Sequence, residues 1–129
     1  MPAGTTPIFP SSVMLGIGQV SAANTNLDGT GTLVTVVTGG ANGSRIDRVV
    51  LKAIVTTTAG MIRLFVYDGT NTRLVREVTV EAITKSASVA AWEEDLLTPD
   101  LYLPSSSYQL KASTEKAETF NVFALGGNY

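Results

Sequence analysis

The sequence predicts an all-β domain of about eight antiparallel strands, folded as a jelly-roll-like sandwich. Three observations predict it. Apolar and polar residues alternate in short runs. Turn-forming clusters recur at intervals of roughly 8–12 residues, the spacing of sandwiches and barrels. Seventeen of the 129 residues are threonine, a β-branched residue that suits a pleated surface. No stretch sustains the 3.6-residue period of an amphipathic helix. Eight antiparallel strands in a chain of this length favour a closed double sheet over an open one.

Residues 1–12, MPAGTTPIFPSS, carry Pro2, Pro7 and Pro10. Proline lacks a backbone donor, which excludes a regular helix or a central strand. Ile8 and Phe9 give this segment more apolar surface than a purely disordered tail carries. It reads as an extended N-terminal arm that docks on its own domain or on a neighbour, followed by one domain over residues 13–129.

The first run of the domain is residues 15–22, closed by the turn at 24–29 (NTNLDG). Residues 32–38 (TLVTVVT) form a second run, followed by the Gly-rich loop 39–44. The longest strand is expected at 45–57, with Val49, Leu51, Ala53 and Val55 on one face and Arg48 and Lys52 on the other. Residues 61–67 place Ile62, Leu64 and Val66 opposite Arg63. Asp68-Gly69-Thr70-Asn71 is a hairpin signal. The return strand, 72–83, puts Leu74, Val78 and Val80 on one face. Val75 breaks that alternation and marks either a bulge or a second buried surface. A run at 88–97, a turn at 98–100, a short extended piece at 101–104 and strands through Tyr108–Ala112 and 118–125 complete the pattern.

Composition narrows the function. The chain has no Cys and no His, which removes disulfides, thiolate chemistry, the commonest general base and the commonest metal ligand. Nine basic against eleven acidic residues give a net charge of -2, so there is no basic footprint for nucleic acid. No apolar run is long enough to span a membrane as a helix. Charged residues make up 16% of the chain, below the usual quarter, and sparse charge suits burial against other chains.

Each candidate for chemistry has a plainer reading. Glu93-Glu94-Asp95 is the densest carboxylate group, but adjacent strand residues point to opposite faces. The three cannot converge on one substrate and read as salt-bridge partners. The repeated tripeptides Asp28-Gly29-Thr30 and Asp68-Gly69-Thr70 lack the full set of oxygen ligands of a calcium loop and read as turns. The 39–43 loop precedes a strand and has no phosphate-loop lysine. The serine and threonine hydroxyls have no histidine to activate them. Trp92, Tyr67, Tyr102 and Tyr108 fit a core, or else a sugar-stacking surface. The expectation is a protein that is not an enzyme and has no catalytic, cofactor-binding or metal-binding residues.

The segments DGTGTLVTVVTGGANGSRIDRV, TTTAGMIRLFVYDGTNTRLVREV, AAWEED and LKASTEKAETFNVFALGG resemble a family of small proteins encoded in tailed-phage structural gene clusters. The resemblance covers most of the chain outside the arm. It implies a virion component of the bacteriophage particle. The first expectation is a capsid decoration (cement) protein, expected as a homotrimer that binds the major capsid protein on the capsid exterior. The alternatives are a tail, fibre or head-fibre subunit, or a carbohydrate-binding module. Ile8, Phe9, Val13 and Met14 are the expected contacts with a neighbouring chain.

Overall fold

A computed structural model describes residues 10–97 and 101–129. The arm residues Ile8 and Phe9 and the turn expected at 98–100 lie outside the described residues. Nine strands follow in order: β1 Ser12–Val20, β2 Val34–Thr38, β3 Ser44–Ala53, β4 Gly60–Tyr67, β5 Thr72–Val80, β6 Glu93–Leu96, β7 Leu101–Leu103, β8 Gln109–Thr114 and β9 Phe120–Asn128. The ninth is the short piece β7, which adds one strand to the eight expected.

The strands form two antiparallel sheets. The first has the order β1-β9-β3-β6, with β7 also paired to β3, and the second has the order β2-β8-β4-β5. Apart from the β4–β5 hairpin and the successive strands β6 and β7, which both lie along β3, the chain passes back and forth between sheets, so that β1, β2, β3 and β4 alternate. This interleaving is the jelly roll of two Greek keys, as the alternation and turn spacing predict.

The core lies between the sheets. Val20, Ile46, Val49, Leu51, Phe120 and Val122 contribute from the first sheet, and Val36, Ile62, Leu64, Leu110 and Ala112 from the second. Trp92 packs edge-on against Phe120, with ring centroids 5.8 Å apart. Where β1 meets β2 the sheets approach closely. A side-chain carbon at Gly16 would lie 2.5 Å from Val37 Cβ and 2.6 Å from the Val36 carbonyl oxygen, so only glycine permits this contact.

Several boundaries differ from the sequence pattern, for physical reasons. β3 ends at Ala53 because its partner strand β9 begins at Phe120, opposite Ala53. Val55 therefore leaves the apolar face and is partly exposed. β6 starts at Glu93, where pairing with Lys52 begins; before it, Ser86 and Val89 exchange backbone hydrogen bonds in a turn. The irregularity at Val75 is a bulge. Leu64 pairs with Arg76 but the next residue, Phe65, pairs with Leu74. The extra residue moves Leu74 off the face of Val78 and Val80, correcting its expected orientation.

The outer face of the second sheet is covered. Phe65 points away from Leu64, yet it is fully buried. Arg63, on the same side, is also buried; it donates to Glu77 at 3.2 Å and lies 3.9 Å from Glu115. The segment 21–33 is anchored at both ends of this face. Ala23 bridges Thr114, and Gly29 packs against Thr72. The buried Asn24 amide donates to the carbonyls of Thr30 and Thr32 at 3.0 and 2.9 Å, which closes the segment into a compact loop. Gly29 and Gly69 both have positive φ, as the two repeated tripeptides require of turns.

Candidate protein interface

The outer face of the first sheet differs from that of the second: among the described residues, it carries large exposed apolar side chains. In β1 alternate residues point to opposite sides. Met14, Gly16, Gly18 and Val20 face the core, and Val13, Leu15 and Ile17 face out with 93%, 59% and 62% exposure. Of the expected contacts in this strand, Val13 is therefore presented to solvent, whereas Met14 packs into the sandwich of its own chain.

Residues directly opposite in a ladder share a face, so the register builds the surface row by row. Val13 lies opposite Gly127, which lies opposite Arg45 and then Tyr102. Leu15, Leu125 and Arg48 make the next row. Ile17, Phe123, Val50 and Asp95 make the third. Gln19, Asn121, Lys52 and Glu93 make the fourth, where the Gln19 amide donates to Asn121 Oδ1 at 2.9 Å. The result is an apolar patch of Val13, Leu15, Ile17, Val50, Phe123 and Leu125, bordered by polar side chains.

The charges on this border are internally matched. Arg45 pairs with Asp47 at 2.7 Å and Lys52 with Glu93 at 3.1 Å. The Arg48 guanidinium donates to both carboxylate oxygens of Asp95, with Nε at 2.8 and 3.0 Å. Those hydrogen bonds hold the Asp95 carboxyl below its ordinary value. Exposed pairs of this kind contribute little to stability, but they leave the face without a strong field of either sign. Glu94, between two paired neighbours, stands opposite Leu51, so the three carboxylates do not converge.

At the Val13 end the face opens into a shallow depression of about 470 Å³, lined by Pro10, Ser11, Ser12, Val13, Arg45, Asp47, Gly126 and Gly127. The Pro10 ring lies over Gly127, where any side chain would come within 2.5 Å of it. Ser11 N donates to the Asn128 carbonyl. The chain thus enters the domain over this face, and the arm is rooted there.

The sequence pattern pointed to Val13 but missed Leu15, Ile17, Val50, Phe123 and Leu125. The signal was present: residues 13–17 and 122–125 are apolar on both alternating positions, the mark of a strand covered on two sides. Trp92 is 4% exposed, so its ring is not available to stack on a sugar. Among the described residues, no helix is long and apolar enough to cross a membrane.

No protein-family model matches the chain, and no curated protein matches it. Among solved structures it is similar to one described as a pentameric capsid protein isolated from metagenomic phage sequences. The two are 16% identical, the match covers 83% of this chain and 69% of that one, and the TM-score is 0.39.

Proposed function

We propose that this chain is a structural subunit of a bacteriophage virion, and specifically a capsid decoration protein on the outside of the head. The observation that carries the reading is the apolar outer face of the first sheet. Contiguous exposed apolar surface marks a contact site with another protein or a membrane, and a matched-charge border fits a protein neighbour better than a charged lipid surface or nucleic acid. The resemblance of residues 25–125 to products of phage structural gene clusters supports the particle as the setting. Such a subunit acts by binding rather than by catalysis: each contact made to the assembled shell and not to its separated parts stabilises the shell by mass action. The major capsid protein is the partner in this reading, and Val13 and the arm residues Ile8 and Phe9 are contacts with a neighbouring chain.

The test is co-sedimentation of the purified protein with capsids stripped of their accessory proteins, alongside isolated tails. Saturable binding to capsids, weakened by Ile17→Glu, is the expected result. Binding to tails in place of capsids would move the protein to the tail, and binding to neither would overturn the reading.

A further inference from the structure

We propose that the apolar face of the first sheet receives the N-terminal arm of a second copy of this chain. This rests on the reading of the protein as an assembly subunit and names the partner that this face takes.

The chemistry of face and arm agrees. The face offers Leu15, Ile17, Val50, Phe123 and Leu125, and the basic residues along its border each have an acidic partner in the same chain. Its complement is an apolar segment without charged side chains. Residues 1–12 have no charged side chain and present Ile8 and Phe9 between prolines. Proline limits the conformations that an unbound segment must give up on docking, which favours binding of an extended strand-like arm.

Reach assigns the arm to a different copy. Pro10 lies over Gly127, in the row of Val13. Phe9 and Ile8 are one and two residues away, so their backbone reaches at most about 7 Å from that point. The Ile17–Phe123 row is four residues further along β1, about 13 Å at the usual rise of a strand. A chain's own Ile8 and Phe9 therefore stop short of the centre of its own apolar patch. A neighbour's arm is tethered at its own Pro10 instead, so a neighbouring domain packed with its Pro10 within about 7 Å of the patch lays Ile8 and Phe9 on Leu15, Ile17 and Phe123.

Two variants test the exchange. One lacks residues 2–9 and keeps the face. The other keeps the arm and carries Ile17→Glu, with Leu15→Gln as a second form should the first fold poorly. Circular dichroism and thermal melting establish that each is folded. By light scattering the full chain is expected to be an oligomer, and each variant alone is expected to have the mass of one chain. Mixing the two is expected to restore a complex, because one supplies the arm and the other the face. A full chain that is monomeric at every concentration overturns the exchange, and its saturable binding to capsids would leave the proposed function standing. An oligomer that survives deletion of residues 2–9 overturns the arm as the occupant and points to direct contact between faces. Failure of the two variants to combine overturns exchange between copies.

Discussion

Ile17 and Phe123 stand directly opposite each other across the β1–β9 ladder, and both point away from the core. Their ladder neighbours Gly18 and Val122 point inward. The pair marks the centre of a surface that the domain's own fold leaves uncovered, and it separates contact from stability as measurable quantities.

Because Ile17 is 62% exposed, Ile17→Glu removes little buried surface. The expected change in unfolding free energy is within about 1 kcal/mol, the range of β-propensity and surface effects. Chemical denaturation measures this. The same variant is expected to lose most of its capsid binding and self-association. A large loss of stability would mean that the face is already covered within one chain.

Gly16 is expected to tolerate no side chain. Gly16→Ala places a carbon against Val37 and the Val36 carbonyl, and relief requires β1 and β2 to separate. Overpacking of this kind costs about 1–3 kcal/mol. Urea unfolding followed by Trp92 fluorescence reads it, since Trp92 reports on the core through Phe120.

Phe65→Ala tests the covered outer face of the second sheet. If the 21–33 segment buries Phe65 as the anchors at Thr114 and Thr72 indicate, the loss is that of a core aromatic, about 3–5 kcal/mol. A cost near that of a surface residue would show that this face is open.

Acid stability follows from three carboxylates. Asp95 is held below its ordinary value of 3.8 by hydrogen bonds from Arg48. Asp28 is lowered chiefly by the Thr30 hydroxyl, and Asp68 by the backbone N–H groups of Asn71 and Thr70. A carboxyl whose folded value is depressed contributes stability that is present above its unfolded value and is lost as pH falls through the folded one. Stability is therefore expected to decline as pH drops below about 3.8. Asp95→Asn is expected to flatten that decline in denaturation curves collected across the acid range.

Much of the fold is legible in the alternation itself. The pattern of Val49, Leu51 and Ala53 against Arg48 and Lys52 reads directly as one inward and one outward face, because a strand offers only two. Val75 likewise announces its bulge by breaking the period. What alternation does not encode is which outward faces are covered. Arg63 looks solvent-facing in sequence, but it is buried and its charge is met by Glu77 and Glu115, the second of them more than 50 residues away in the chain. Leu15 and Ile17 carry no mark in sequence of which face they take, and in the fold Gly16 and Gly18 hold the inward positions. The contact face emerges when the β1–β9–β3 register brings the outward residues of three distant segments into common rows. Ile8 and Phe9 were legible as apolar side chains in a proline-rich arm, though a composition argument alone leaves their host open.

The bulge at Val75 has a bearing on how copies can meet. β5 forms the outer margin of its sheet, and an unbroken margin would be a template on which another molecule's strand could add indefinitely. The unpaired residue kinks that template, and Arg73, Arg76 and Glu77 stud it with charge. Open-ended, fibre-like growth along this side is thereby discouraged. If copies meet through the apolar face as proposed, their contacts form on the far side of the sandwich, where a limited number of partners can fit and the count of subunits can close.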